Sequence, residues 1–226
     1  MRILLIGRGR MGSLVEQLAP SYGCEIGGIV DEHSAADAIE HGDFGALDVA
    51  IDFSLADAVP LNLPQLAARG LNVVIGTTGW QTHETALKAI AARANLGVLA
   101  SANFSLGMNI FQTAVAAAAA KFASYGEYGA WIHEIHHAAK KDAPSGTALM
   151  LKAAMTRAGY GAAIDVSSTR AGSAPGTHSV GFDGPAESLT FVHEVRDRSV
   201  FARGALEAAR WLKGRHGWFT MQDMLD

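Results

Sequence analysis

Through the first hundred residues, short runs of Val, Ile and Leu alternate with stretches whose apolar positions recur at helical spacing. The runs at 2–6, 25–30, 49–52, 72–75 and 97–99 have the length and β-branched content of buried strands. The patterns between them at 11–20, 56–69 and 82–94 predict helices, whereas the stretch after Asp31, through His41, Gly42 and Asp43, is too thin to predict one. Such β-α alternation implies a parallel sheet covered on both faces. The strand exits read GRGRMG, VDE, DFS, GTTGW and ASANFS, all glycine-rich or polar. In an open parallel sheet those carboxyl ends gather along one edge, where ligands bind.

After Phe104 the pattern changes. A long helix is predicted from Met108, followed by a strand carrying His136, a helix after Thr147, and β-like runs at 165–170, 178–182 and 188–195. This order predicts a second, α+β domain with a mainly antiparallel sheet. The last helical pattern, FARGALEAARWLKG, carries a stripe of Ala205, Leu206, Ala209 and Leu212 that must be buried, and is predicted to return to the first domain. The expected division is therefore 1–106 completed by 199–226, and 107–198, with hinges near 105–107 and 196–199.

Composition narrows the possible partners. With 226 residues, 49% apolar and 18% charged, the chain can bury one large core or two modest ones. A net charge of −4 gives no footprint for nucleic acid or an acidic membrane surface, so small soluble ligands are favoured. Cys24 is the only cysteine, which excludes an internal disulfide and a cysteine metal cage and predicts a packing role. The opening MRILLIG is too short for a signal segment, and the alanine-rich run at 114–120 suits a buried helix, so a cytoplasmic protein is expected.

Gly7-Arg8-Gly9-Arg10-Met11-Gly12 fits G-x-G-x-x-G, a weak signal alone but a strong one between a strand and a helix. Gly7 makes the tight turn, Gly9 leaves bare backbone for a pyrophosphate, and Gly12 lets the helix pack closely on the strand. Asp31 ends the second strand 19 residues past Gly12, where a carboxylate accepts hydrogen bonds from ribose hydroxyls. The rival is a plain glycine-rich turn. The context instead predicts a Rossmann-type dinucleotide-binding domain at 1–106. Asp31 and Glu32 repel a 2′-phosphate while Arg8 and Arg10 attract one, so NADH is favoured with NADPH also used.

Residues 131–148, WIHEIHHAAKKDAPSGTA, concentrate the remaining chemistry. On a strand, His136 and His137 point to opposite sides, so one can line a pocket while the other is held from behind. Lys140 or Lys141 supplies positive charge, and the Ser145, Gly146, Thr147 turn opens a helix whose first N–H groups suit an anion. The alternative is a loop with solvated lysines before a capped helix. His133-Glu134-Ile135-His136-His137 also spells H-E-x-x-H, but that pattern chelates zinc only on a helix. On a strand His133 and His137 lie about 13 Å apart, so no metal is expected. His133 then needs only a structural partner, and Glu134, on the His136 face, can orient the site.

The stretch EIHHAAKKDAPSGTA at 134–148 resembles the dihydrodipicolinate reductase family, also called 4-hydroxy-tetrahydrodipicolinate reductase. The resemblance runs from the glycine loop through IDFS at 51–54, GTTG at 76–79, ANFS at 102–105, H-x-V-x-F at 178–182 and RSVFARGA at 198–205. It implies His136 as catalytic acid or base and Lys140 as its protonating or charge-stabilising partner. It implies that His137, Lys140, Ser145, Gly146 and Thr147 bind the substrate carboxylates. Gly7, Arg8, Gly9, Arg10, Met11, Gly12, Asp31, Gly76, Thr77, Thr78, Ser101, Ala102, Asn103, Phe104 and Arg198 would hold the dinucleotide. The implied activity is reduction of a cyclic imine dicarboxylate in lysine and diaminopimelate biosynthesis, by a homotetramer assembled through the second, substrate-binding domain. Glu32 and His33 stand where members favouring NADPH carry arginine, and Leu55 replaces a basic residue.

Two rivals remain. Another two-domain nicotinamide enzyme, such as an aspartate or homoserine dehydrogenase, does not need the His-His pair followed by Lys and PSGT. A non-catalytic dinucleotide sensor needs the glycine loop and no proton donors.

Overall fold

A computed structural model describes all of residues 1–226. In chain order the elements are β1 (Arg2–Ile6), α1 (Arg10–Leu18), β2 (Glu25–Val30), α2 (Ala38–His41), β3 (Val49–Asp52), α3 (Val59–Arg69) and β4 (Val73–Ile75). Then come α4 (Glu84–Arg93), β5 (Gly97–Ala100), α5 (Leu106–Phe122), β6 (Gly129–His136), α6 (Gly146–Arg157), β7 (Ile164–Arg170) and β8 (Thr177–Asp183). The chain closes with β9 (Ser188–Glu194), α7 (Ser199–Leu212), β10 (Gly217–Phe219) and α8 (Met221–Leu225). Two compact units result: residues 1–106 with 199–226, and residues 107–198.

The first unit is a parallel six-stranded sheet in the order β2-β1-β3-β4-β5-β10. Because side chains alternate along a strand, Ile3 and Leu5 face one side and Leu4 and Ile6 the other, each with no more than 2% exposure. The first side packs against Val15 of α1 and against Ala205, Leu206, Ala209 and Leu212 of α7. The second packs against Leu63 and Leu66 of α3 and Leu87 and Ala91 of α4. Helices cover both faces, as the unbroken apolar strands require. The order reverses at β1, which lies between β2 and β3, the place where such sheets open a ligand crevice.

Two elements go beyond the sequence expectations: β10 supplies a sixth strand beside β5, and α8 follows it. α2 is a single turn, consistent with the thin pattern there. α3 begins at Val59, three residues later than the periodicity suggests, with a proline in its first turn.

The second unit is a four-stranded mixed sheet, β7-β6-β8-β9, with β6 and β7 parallel and the other pairs antiparallel. Along β6, Ala130, Ile132, Glu134 and His136 alternate onto the buried face. Val180 and Phe182 of the adjoining β8 extend that face, and Met108, Phe111 and Val115 of α5 with Ala148, Leu151 and Met155 of α6 cover it. Glu134 and His136 therefore sit at the polar end of an apolar layer. His133 points away from it and bonds Ser167 Oγ through Nδ1 at 2.8 Å, which disposes of the helical zinc reading.

Candidate active site

In the first unit the glycine loop takes the shape its spacing predicts. Gly7 has φ +85°, and a Cβ there would lie 2.5 Å from the Phe53 carbonyl oxygen. Gly9 caps α1 with open space where its side chain would be, and a Cβ on Gly12 would overlap the Gly7 carbonyl. The first N–H groups of α1 therefore face an uncovered concavity. A cavity of about 490 Å³ opens there, lined by Gly7, Arg8 and Gly9, by Asp31, Glu32 and His33 after β2, and by Phe53, Ser54 and Leu55 after β3. A neighbouring cavity of about 370 Å³ shares Gly9 and Ser54 and adds Arg10, Met11, Gly76, Thr77 and Thr78.

Sequence reasoning did not single out the residue that knits these loops together. Asp52, at the end of β3, is 1% exposed, and its carboxylate accepts from Ser54 N at 2.8 Å, Ser54 Oγ at 2.6 Å, Asn62 Nδ2 at 2.9 Å and Thr77 Oγ1 at 3.2 Å. Burial pushes its pKa up, against those hydrogen bonds. Arg8 lines the larger cavity but its guanidinium forks onto Glu16, with Nε to Oε2 at 2.9 Å and Nη2 to Oε1 at 3.1 Å. Asp31 Oδ1 accepts from His33 N at 3.0 Å, so its carboxylate is held at the cavity wall. Ser101, Ala102, Asn103 and Phe104 follow β5 and line neither cavity. Ser101 Oγ bonds Asn103 within that loop, and Phe104 is 2% exposed. Arg198 lies exposed in the turn before α7.

In the second unit one carboxylate organises the site. Glu134, fully buried, bonds His136 Nδ1 through Oε2 and accepts Ser145 N through Oε1 at 3.2 Å. Arg170 of β7 grips both oxygens, at 3.0 Å and 2.7 Å. Burial alone would raise the Glu134 pKa, but hydrogen bonds from Arg170, Ser168 and His136 overcome it and hold it at about 2. Burial lowers the His136 pKa despite the Glu134 hydrogen bond, and the charges of Lys140 and Arg170 add to the lowering. At neutral pH His136 is thus a neutral ring whose Nδ1–H donates to Glu134, leaving Nε2 bare. Gly176, at φ +154°, keeps that nitrogen accessible, since a Cβ there would sit 3.0 Å from it.

His136 is therefore both backed by a carboxylate at Nδ1 and open at Nε2, so one ring combines the two roles that were expected of separate histidines. His137 leaves the strand half-buried, its N–H donating to Ala174 O at 2.8 Å. Of the two lysines, Lys140 is anchored, with Nζ on Asp142 Oδ1 at 2.6 Å, and Lys141 is exposed. Ser145 Oγ caps α6 by accepting Ala148 N at 3.2 Å and meets His178 Nε2 at 3.3 Å, so this hydroxyl serves the scaffold first. The adjoining Gly146 and Thr147 at the start of α6 are, by contrast, exposed and half-buried. The donor atoms of Glu134, His136 and His178 lie within 4.8 Å of one another, a spacing that could hold a cation. The Arg170 guanidinium already occupies both Glu134 oxygens, and a metal ion would face that fixed charge.

His178 and Arg170, missing from the sequence-derived site, come from strands that register places beside Glu134 and His136. His178 is 3% exposed, and burial pushes its pKa down to about 4. Its ring stands edge-on to His136, with centroids 5.1 Å apart. The unfolded chain binds a proton here below about pH 6.5 that the folded chain refuses until about pH 4. Stability should therefore fall as pH drops through that window, by up to about 3 kcal/mol. The Glu134 contribution is lost only below its unfolded pKa of 4.5. Thermal unfolding followed from pH 7 to pH 4 checks this: His178→Phe should reduce the slope, leaving the part due to His136 and His193, whose pKa values burial also lowers, and an unchanged slope would exclude His178 as a source.

The chain matches two family models, described as the N-terminus of dihydrodipicolinate reductase over residues 1–104 and its C-terminus over residues 107–225. It belongs to the dihydrodipicolinate reductase family. Among relatives named 4-hydroxy-tetrahydrodipicolinate reductase, one from Stenotrophomonas maltophilia is 40% identical over 240 residues, covering all of this chain and 98% of the relative. One from Christiangramia forsetii is 33% identical, again covering 100% and 98%. A solved dihydrodipicolinate reductase from Paenisporosarcina sp. TG-14, bound to dipicolinate, superposes with a TM-score of 0.81 at 21% identity, covering 97% of each chain. The more distant GenD2 of gentamicin A biosynthesis, in complex with NAD, has a TM-score of 0.59 at 13% identity, covering 94% of this chain and 85% of its own. The dihydrodipicolinate reductase fold thus spans both units, and the motif at 134–148 falls on the Glu134–His136 cluster.

Proposed function

We propose that this chain reduces the cyclic imine dicarboxylate of lysine and diaminopimelate biosynthesis by hydride transfer from NADH or NADPH, with NADH favoured. The observation that carries the reading is the carboxylate-backed His136 with Lys140 four residues beyond it on the following loop. A nicotinamide supplies the hydride when bound. Gly7, Gly9, Gly12 and the start of α1 hold its pyrophosphate, Asp31 its ribose, and Gly76, Thr77 and Thr78 the far side of the cleft. Ser101, Ala102, Asn103, Phe104 and Arg198 act through backbone or surface contacts.

The substrate carboxylates go to the start of α6 at Gly146 and Thr147, where the Gly146 N–H already holds the Asp142 carboxylate, to His137 and to the Lys140 ammonium. Hydride arriving on the ring drives negative charge toward the ring nitrogen, which takes a proton. Lys140 donates it directly, and His136 does so after its Nε2 has taken up a proton from solvent. Burial makes a protonated His136 a stronger acid than free imidazole, so it gives up a proton readily once charged. Helix N–H groups that need not move as charge develops stabilise the transition state.

Asp31 and Glu32 at the ribose end, and Arg8 engaged by Glu16, favour NADH over NADPH. The sheet face of the second unit that carries Trp131, Ile135 and the 60% exposed Val192 suits burial against other copies in a homotetramer. Cytoplasmic residence accords with the biosynthetic role, and no helix is long and apolar enough to cross a membrane.

The test is absorbance of the reduced cofactor after addition of freshly made dihydrodipicolinate synthase product. Substrate-dependent oxidation is expected with both cofactors, with kcat/KM at least several-fold higher for NADH. Binding of NADH without consumption would favour the sensor reading, and a clear preference for NADPH would remove the role given to Asp31 and Glu32.

A further inference from the structure

The reaction needs two groups from different stretches of chain held in one geometry: the His136 ring on β6, and Lys140 on the loop that follows. Lys140 Nζ rests on Asp142 Oδ1 at 2.6 Å, but that pair is partly exposed, and an exposed ion pair alone fixes little. The loop needs a firmer anchor. The Asp142 backbone carbonyl accepts from Arg170 Nη2 at 2.5 Å. The same guanidinium holds Glu134 Oε1 and Oε2, and its Nη1 also donates to Thr169 O at 2.9 Å. Only 17% of the Arg170 side chain is exposed, and its partner Glu134 is fully buried.

From this we infer that Arg170 is a positioning residue for the reduction, its one guanidinium fixing both the carboxylate behind His136 and the loop that presents Lys140. The inference rests on the functional reading above. Arg170 touches neither reacting atom. It acts through Glu134 on one side and through Asp142 on the other.

The planar fork is what the geometry uses. Lysine in its place supplies a similar charge from a single point and cannot reach two carboxylate oxygens and a carbonyl together. The charge has a separate role. Glu134 is shared between Arg170 and the Nδ1–H of His136, so with Arg170 removed its full negative charge falls on the imidazole and stabilises imidazolium. The other charged or titratable groups around His136 are Lys140 and Asp142 on the following loop, His178 on β8, and His193 beyond it on β9; loosening the loop draws the Lys140 charge away, which raises the His136 midpoint in the same sense.

The experiment compares Arg170→Met and Arg170→Lys with the wild-type chain by steady-state kinetics, NADH titration, thermal unfolding, and NMR titration of His136 in histidine-labelled protein. Wild-type consumption of NADH is established first; its absence sinks the functional reading before any variant is compared. Arg170→Met should lower kcat roughly tenfold to a hundredfold, raise the His136 titration midpoint by about one unit, and leave NADH affinity unchanged. Arg170→Lys should keep the wild-type midpoint while still losing much of kcat, which separates charge from fork geometry. Wild-type kcat together with a wild-type midpoint in folded Arg170→Met overturns the inference. Should Arg170→Met fail to fold, Arg170→Lys decides alone: reduced kcat with an unmoved midpoint supports the inference, and unchanged kcat and KM overturn it.

Discussion

His136→Gln should lower turnover by about a hundredfold or more while leaving NADH affinity nearly unchanged. Glutamine keeps much of the size and polarity of the ring, so Glu134 retains a hydrogen-bonding neighbour and no buried charge is stranded. It loses the ability to take up and release a proton near neutral pH, and positioned proton transfer contributes roughly 10²- to 10⁴-fold. On the proposed reading the dinucleotide binds in the first unit, whereas His136 belongs to the second. Fluorescence titration with NADH and steady-state kinetics separate the two effects. Near-full turnover in the variant would remove His136 from the chemistry, and lost NADH affinity would place it in the wrong site.

Gly204→Ala should be the most damaging single-methyl change in the first unit. α7 crosses the loop after β5 so closely that a Cβ on Gly204 would overlap the Phe104 carbonyl, and its neighbours Ala202, Ala205 and Leu206 are fully buried. Neither backbone has a flexible end that can give way. Overpacking of this kind costs up to about 3 kcal/mol, which in a protein of this size lowers Tm by roughly 6–12 °C. On the proposed reading the displaced loop, Ser101–Phe104, contacts the dinucleotide, so NADH affinity should fall with stability. Calorimetry and NADH titration on the same sample check both, and a variant as stable as the parent would mean that α7 packs otherwise.

Much of this was legible in the sequence for reasons that particular residues make plain. Unbroken apolar strands could only belong to a sheet covered on both faces, and Gly7, Gly9 and Gly12 stand at the three places where a side chain is forbidden or unwanted. β6 was legible because Trp131, Ile132 and Ile135 favour a strand, and that assignment set aside the zinc reading of HEIHH. β10 was not, because three residues, Gly217–Phe219, are too few to show a period. The burial of α7 in the first unit followed from its apolar stripe, whereas the close approach at Gly204 depends on where the loop after β5 passes.

Arg170 and His178 were hidden for a different reason. Arg170 lies 36 residues from Glu134, and what brings them together is strand register: His136 pairs with Arg170, and Glu134 with His178. His178 had a signal in the H-x-V-x-F run, and Arg170 ends the DVSSTR strand, but neither position announces a partner. Asp52 was visible within IDFS, yet nothing in the sequence says that Ser54, Asn62 and Thr77 converge on it. Local pattern specifies elements, and register specifies which polar ends meet.

Transfer of label is the most direct measurement of the central claim, that this chain delivers a hydride from a dinucleotide in the first unit to an imine ring held beside His136 and Lys140. NADH deuterated at the transferring C4 position is incubated with the enzyme and fresh substrate, and the product is analysed by mass spectrometry and NMR. One deuterium per NADH oxidised should appear on ring C4 of tetrahydrodipicolinate. Label retained on the cofactor, or a product reduced without deuterium, would contradict it.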